Sequence, residues 1–347
     1  MATTFISTNS ISTTLRISAM KSQAALSRAT KEATTGRNAD VGLSLGALAG
    51  RDVVLRAELL NVDKLVDTNG LVGGRLDTAQ QRVDELIDTA KSFQKDLLAA
   101  RNSAGGGTII AQSASANLQG LISTLNVTMD GQYLFGGINT ATRPILDYAA
   151  GSASKTAVDA AFSATFGFAQ NSPLVSGITA ADMQSFLDTT FQAQFDDPAW
   201  GTNWSTATDQ VMRSRISTTQ TIDSSASANE PAFRKLAKAY TMLSDLGTSG
   251  LNQSAFQTVI DAAIEDIGEA INDLAGVGAK IGTAQEQTTG ATERLKVQGD
   301  LITQQINAME QVDPTEASVR VTNLKSQLEM SLALTARIQQ LSILNYL

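Results

Sequence analysis

Two long stretches of the sequence follow a heptad pattern, and they lie on either side of a middle region that does not. Apolar residues recur at alternating spacings of three and four over residues 62–97 and again over residues 256–312. These are the spacings of the a and d positions of a coiled coil, where each helix buries one narrow apolar stripe, or seam, against its partner. At about 1.5 Å rise per residue, the second stretch would form a helix roughly 80 Å long. Such helices are typical of a rod or a bundle.

Seam positions from both halves of the chain are predicted to form the core of this rod. They are Leu76, Val83, Leu86, Phe93, Ile260, Ile267, Leu274, Ile281, Leu295 and Ile302. The polar residues Asn69, Gln298 and Gln305 also fall on the alternation. We interpret them as fixing the register of helix pairing, as a buried polar residue does at an a position.

The middle region, residues 131–230, differs from the rod in composition. Most of the aromatic residues of the chain lie between Tyr133 and Trp204. Segments such as 162–168 alternate apolar and small residues and predict strands, whereas residues 182–195 could form a short helix. The chain is therefore predicted to be mainly α, with a long antiparallel coiled-coil-like rod formed by both halves and a small, separately packed β-containing insertion in the middle.

Both chain ends are amphipathic or apolar, which is unusual because chain termini are normally polar and frayed. The last stretch, residues 324–347, is apolar on nearly all sides, and one short partner helix cannot cover every face of it. Burial between subunits is the physical solution that we favour. The predicted assembly interface consists of Ile11, Leu15, Met20, Leu26, Leu324, Leu328, Leu332, Leu334, Ile338, Leu341 and Leu344.

The composition excludes most catalytic chemistry. The chain has no histidine and no cysteine, which removes Ser-His-Asp and Cys-His catalysis, His or Cys zinc sites and disulfides. A formal net charge of −8 argues against a nucleic-acid partner. No stretch is apolar for long enough to span a membrane, and no cleavable signal peptide is recognised. We therefore expect no enzyme, no cofactor and no metal site.

Three segments carry a family resemblance. Residues 131–137, with Thr140 and Pro144 beyond them, resemble the segment that leads into the outer domain of the bacterial flagellar hook–filament junction family, also called hook-associated protein 3. Residues 312–317 are similar to the break before the last helix of that family, and residues 341–347 to its ending. Thr35-Gly36-Arg37 and residues 81–86 fit flagellin equally well, so flagellin is the close second.

The resemblance implies an arrangement in layers. It implies a terminal assembly domain of residues 1–38 with 314–347, a rod domain of 39–130 with 231–313, and a variable, outward-facing insertion of 131–230. It also implies a structural subunit of the bacterial flagellum that is secreted by the flagellar type III route and joins hook to filament. Implied partners are copies of the chain in a ring or filament, other axial proteins, and an export chaperone on the C-terminal helix.

Two alternatives to a junction protein stay open at this point. One is a flagellin that polymerises into the filament. The other belongs to a different class, a cytoplasmic coiled-coil adaptor whose apolar end docks a partner protein. The adaptor would not need residues 131–137 and 341–347 together.

Overall fold

The computed structural model describes residues 8–101 and 107–344, and this part of the chain is mainly helical. The α-helices are, in chain order, α1 (Thr8–Thr35), α2 (Val41–Leu45), α3 (Ala49–Ala100), α4 (Gly107–Leu125), α5 (Ala153–Phe166), α6 (Ala180–Phe186), α7 (Pro231–Asp245), α8 (Gln253–Glu310) and α9 (Pro314–Leu344). The strands form two antiparallel pairs, β1 (Thr128–Met129) with β2 (Gln132–Tyr133), and β3 (Arg213–Arg215) with β4 (Thr221–Asp223). No helix in the described ranges is both long and apolar enough to cross a membrane.

The chain divides into two compact units. One unit comprises residues 1–64 and 295–347, and the other comprises residues 65–294. Helices α3 and α8 each contribute residues to both units, because each division falls inside one of them. The three-part domain scheme drawn from the sequence stays a prediction.

Within the unit of residues 65–294, α3 and α8 are antiparallel neighbours. Polar side chains link them in opposite order along the two helices. These links join Asn69 to Thr292, Asp77 to Gln285, Gln94 to the carbonyl of Ile264, and Arg101 to Asp261. The seams lie between such links, so the two heptad stretches of the sequence bury their apolar stripes in the same core.

All ten residues predicted for the rod core are buried, each with 4% or less of its surface exposed. In the unit of residues 65–294, Val83 and Ile267 are fully buried. In the other unit, Leu295 and Ile302 are nearly so. The alternation of threes and fours therefore marks the buried stripe of α3 and that of α8 as far as Leu295.

The predicted seam is wrong in its last part. Gln298 and Gln305 are exposed, and the buried positions after Leu295 are instead Gly299, Ile302, Ile306 and Glu310. An α-helix has 3.6 residues per turn, so a strict 3.5-residue repeat drifts around a straight helix. A buried stripe on such a helix must occasionally advance by an extra residue. Gln298 has instead a surface role and donates to Glu58 Oε1 at 3.0 Å.

Asn69 does lie on the seam, with 1% of its surface exposed. Its Nδ2 donates to the carbonyl of Ile216 at 2.9 Å and to Thr292 Oγ1 at 3.1 Å. Ile216 directly follows β3, so one amide joins α3 to α8 and to the β3–β4 hairpin. A shift of α3 along α8 would leave this amide buried without partners, at a cost of about 1–3 kcal/mol.

The strand prediction for residues 162–168 is wrong, since most of this segment lies in α5. The helix begins at the N-cap Ser152, whose side chain accepts from the backbone N–H of Lys155, and ends at Gly167 with φ +81°. Small residues between the phenylalanines are compatible with a helix or a strand, and the tertiary packing of the phenylalanines decides which one forms. The helix that residues 182–195 could form is confirmed as α6 with the π and 3₁₀ turns that follow it.

The aromatic middle does not pack separately. Phe135 meets Phe233 of α7 edge to face at 5.7 Å, and Phe93 of α3 meets Tyr240 of α7 at 5.6 Å. One continuous apolar core runs from the seams of α3 and α8 through α4 and α7 to the aromatic residues of the middle region. The prediction of a separate core was wrong. Composition shows that the middle region is richer in aromatic residues, but it does not show which residues those side chains contact.

We expect Ile267→Ala to destabilise the isolated chain by about 2–5 kcal/mol, because it opens a cavity in a fully buried position. Leu98→Ala is the matched control, since Leu98 lies on α3 with 59% of its surface exposed and should change stability by less than about 0.5 kcal/mol. Urea unfolding followed by circular dichroism measures both. Equal effects would show that the seam is not the folded core.

Candidate assembly surface

Helices α1 and α9 form an antiparallel pair. The end of α1 lies beside the beginning of α9, because Arg320 reaches back to Glu32 at 3.1 Å. The covered positions of α9 alternate by four and three and are Ala317, Val321, Leu324, Leu328, Ser331 and Thr335. Those of α1 follow the same spacing at Leu15, Ala19, Ser22, Leu26 and Ala29. Several of these residues are small, which lets the two backbones approach closely.

This pairing leaves many apolar side chains in water. Exposed fractions are 47% for Ile17 and 59% for Met20 on α1, and 61%, 54% and 55% for Met330, Leu332 and Leu334 on α9. Burying such a side chain fully is worth roughly 1.5–3 kcal/mol. Apolar groups exposed along both helices of a pair are typical of an interaction surface.

The structure sorts the predicted interface residues into three groups. Leu15, Leu26, Leu324 and Leu328 are half-buried between the two helices. Met20, Leu332 and Leu334 are exposed. The side chains of Ile11, Ile338, Leu341 and Leu344 lie outside the described part of the chain. The first group therefore holds the pair together, whereas the second is free for contacts with other molecules.

A short backbone bridge closes the corner where α1 ends and α9 begins. The N–H of Asn38 donates to the carbonyl of Glu310 at 2.8 Å, and the N–H of Val312 donates to that of Gly36 at 2.9 Å. Gly36 has φ +66°, a conformation that favours glycine and ends α1 with a left-handed residue. Two helix breaks that are far apart in sequence thus hydrogen-bond to each other.

Glu310 is the buried charge at this corner, with 1% of its surface exposed. Its carboxylate pairs with Arg56 of α3 and with Arg37, whose Nη1 lies 3.8 Å away. Arg56 also donates to Asp52 at 3.0 Å, one turn earlier on its own helix. A buried carboxylate needs such partners, because an unpaired ion in a protein interior costs several kcal/mol.

A second charged contact fixes the first turns of α9. Glu32, which is also buried, accepts from Arg320 and from the backbone N–H of Ala39 at 3.3 Å. The N-cap of α9 is Asp313, whose carboxylate accepts from the N–H of Thr315 at 2.7 Å. This hydrogen bond lowers the pKa of Asp313, because it favours the charged form. Pro314 occupies the first position of the helix, which requires no N–H donor.

Sequence reasoning did not identify Glu32 and Glu310 as buried residues of this corner. A signal was present for Glu310, since it follows Ile306 by four residues and continues the buried stripe of α8. A charged residue on an apolar stripe indicates a paired ion. Its partners are not readable from the sequence, because Arg56 is 254 residues away.

Residues 131–137 have a distinct geometry in the other unit. Asp130 and Gly131 have φ of +51° and +75°, the pattern of a tight hairpin turn that matches strand twist, and they join β1 to β2. Leu134 and Phe135 are buried next. Gly137 has φ +65°, and a Cβ there would lie 2.4 Å from the carbonyl oxygen of Thr208. This segment therefore folds as the entry to the middle region.

The described residues contain no group of three or more Asp or Glu side chains that could hold a metal ion. What the geometry presents is a pair of terminal helices with exposed apolar faces, held at one end by buried ion pairs.

Comparison with known proteins agrees with this geometry. The family model of the bacterial flagellin N-terminal helical region matches residues 6–140, and that of the C-terminal helical region matches residues 264–347. The two matches together span more than half of the chain. The chain belongs to the flagellin family.

The fold also resembles a solved structure. This is a protein from Vibrio parahaemolyticus assigned to the flagellar hook-associated proteins, with a TM-score of 0.52 and 12% sequence identity. The match covers 76% of this chain and 97% of that protein. No curated protein sequence matches the chain significantly.

Membership in the flagellin family indicates what the terminal helices do. Flagellin-family chains are non-enzymatic structural components of the flagellum that are exported outside the cell and self-assemble with other axial proteins. The chain is therefore a flagellar structural subunit, and the cytoplasmic adaptor is set aside. Exposed apolar residues on α1 and α9 are what a self-assembling subunit requires.

We expect Glu310→Ala to destabilise the chain by about 1–3 kcal/mol, because it removes the acceptor of two arginines at the corner. Glu316→Ala is the control, since Glu316 pairs with Arg320 on an exposed helix face and should cost less than about 0.5 kcal/mol. Thermal unfolding of the two variants measures the difference. Equal midpoints would contradict a structural role for the buried carboxylate.

A pair of glycine substitutions tests the entry segment. Gly131→Ala places a Cβ in open space, so only backbone strain of about 1–2 kcal/mol is expected. Gly137→Ala adds a clash with two carbonyl oxygens and should cost at least about 1 kcal/mol more. Urea midpoints compare them. Similar losses would mean that residues 208–210 can move away without cost.

Proposed function

We propose that this chain is the subunit that joins the flagellar hook to the filament. Residues 131–137 carry the proposal, because their sequence resembles the entry to the outer domain of the junction family. Their geometry supports it. Gly131 and Gly137 adopt positive φ angles, and a side chain at Gly136 or Gly137 would clash with neighbouring backbone oxygens. The fold shared with a flagellar hook-associated protein is additional support.

Flagellin itself is the second candidate. It is favoured by the two family models, which describe flagellin helical regions and match both halves of the chain. The same terminal helices would serve either role, because both candidates assemble with copies of themselves and with axial neighbours. The ending over residues 341–347 favours the junction family in sequence alone.

Assembly through α1 and α9 is the proposed mechanism. The seam between them orders the pair within one chain, and the outward residues Met20, Leu332 and Leu334 meet neighbouring subunits. Three such side chains would contribute roughly 5–9 kcal/mol if fully buried, before the entropy of association is subtracted. We extend the proposed contact to the predicted residues Ile11, Ile338, Leu341 and Leu344.

Export precedes assembly in this proposal. The chain would leave the cell by the flagellar type III route, and a chain without cysteines cannot form disulfides that would block its passage. Until export, the exposed face of α9 needs a temporary cover. A small helical chaperone that lays an apolar groove over this helix would supply it. The predicted insertion, residues 131–230, would face outward from the assembled structure.

Immunogold electron microscopy of intact flagella distinguishes the two roles. With an antibody against this chain, we expect label at a single position between hook and filament. Cells that lack the gene should keep their hooks, form no filaments and release flagellin into the medium. Label along the whole filament would overturn the junction role and establish the flagellin alternative.

The double variant Leu332→Asp with Leu334→Asp tests assembly through α9. Both side chains are exposed in the single chain, so the monomer should keep its circular dichroism spectrum and thermal midpoint. Motility and incorporation into flagella should be lost, because two charges would be buried between subunits. Thr322→Asp with Lys325→Asp alters charge on exposed positions of the same helix and serves as a control for charge alone. Normal motility of the Leu variant would contradict the proposed surface.

A further inference from the structure

A surface cavity of about 610 Å³ lies beside the entry to the middle region, within the unit of residues 65–294. It is formed by Gln119 and Ser123 of α4, Tyr133 of β2, and the segment that carries Arg143, Asp147 and Tyr148. Its volume is within the range of small-molecule sites. The helix pair α1–α9 uses none of these residues, and only Tyr133 belongs to the entry segment of residues 131–137.

The walls of the cavity are held rigidly. Asn126 uses both ends of its amide on the backbone of Ile145, donating to the carbonyl at 2.9 Å and accepting from the N–H at 3.0 Å. The hydroxyl of Tyr148 donates to Asp245, and its ring stacks on Trp204 with 5.1 Å between the ring centroids. Preorganised walls reduce the entropy that a ligand must overcome on binding.

Apart from one ion pair, the polar side chains that line the cavity are neutral. The side chains of Gln119, Ser123 and Tyr133 line the cavity, and they supply an amide and two hydroxyls. The charges of Arg143 and Asp147 cancel, because the guanidinium pairs with the carboxylate through both of its terminal nitrogens. The lining therefore carries no net formal charge, which favours a neutral ligand.

We infer that this cavity binds a neutral saccharide of one or two rings. The half-buried rings of Tyr133 and Tyr148 offer apolar surface to the C–H faces of a sugar, while the amide and hydroxyl groups match its alcohols. A chain that is exported from the cell meets such ligands in solution and on other surfaces. The inference does not depend on the junction role, because the cavity belongs to the single chain.

Saturation-transfer NMR on the full-length monomer is the direct test, with maltose, lactose and N,N′-diacetylchitobiose as probes at up to about 20 mM. Tryptophan emission is an independent readout, because Trp204 stacks on Tyr148 and the chain has only one other tryptophan, Trp200. We expect at least one neutral disaccharide to bind, and 3′-sialyllactose to bind no more tightly than lactose. Failure of all three neutral probes, or a preference for the sialylated sugar, would overturn the inference.

Variants on α4 locate the site. Gln119→Ala with Ser123→Ala removes two exposed polar groups of the cavity and should weaken binding about tenfold, because both hydrogen bonds to the sugar are lost. Gln112→Ala with Ser115→Ala changes two exposed residues of the same helix outside the cavity and should leave the affinity unchanged. Circular dichroism checks that both variants keep the fold. Unchanged binding in the first variant, or equal weakening in both, would place the sugar elsewhere and overturn the assignment.

Discussion

Burial of one narrow apolar stripe between antiparallel helices is the constraint on which the rest of this structure depends. The chain is only 5% aromatic and 17% charged, and its two long helices bury a narrow stripe of mostly aliphatic side chains. A seam places side chains such as Val83 and Ile267 out of water while leaving most of each helix surface polar. Because the stripe is narrow, a single polar residue on it has a large effect. The amide of Asn69 hydrogen-bonds to α8 and to the residue that follows β3, so it links two helices and a hairpin.

Three buried carboxylates, Glu32, Asp52 and Glu310, lie at the corner where α1 and α8 end. In the unit of residues 1–64 and 295–347, the two helix breaks bridge each other through backbone hydrogen bonds, and buried Glu310 and Glu32 hold the arginines around them. These contacts are directional, whereas apolar seams tolerate sliding. The corner can therefore set where α1 and α9 begin their pairing. Beyond it, the pair has only half-buried leucines and small residues, and its outward leucines remain in water.

Membership in the flagellin family explains why such an incomplete structure is useful. Under the proposed assembly through α1 and α9, the unit of residues 65–294 folds around its own core, and the exposed apolar residues of the terminal helices are covered by other subunits. The entry segment at residues 131–137 connects α4 to the aromatic middle region. It does so through the turn between β1 and β2 and through the close contact of Gly137 with Thr208. The proposed sugar cavity lies beside that connection.

The sequence by itself determined the two long helices and their buried stripe as far as Leu295, and it excluded chemistry that needs histidine or cysteine. Heptad spacing and missing residue types are local properties that need no tertiary contact. The sequence also indicated that the terminal helices carry more apolar surface than one partner covers. Only the tertiary structure decided that residues 162–166 are helical, that the aromatic middle joins the main core, and that the seam advances after Leu295. Each of these depends on contacts between residues far apart in the chain. The ion pairs of Glu310 with Arg37 and Arg56 also depend on tertiary structure, because these residues are far apart in the sequence and meet only when the helices pack.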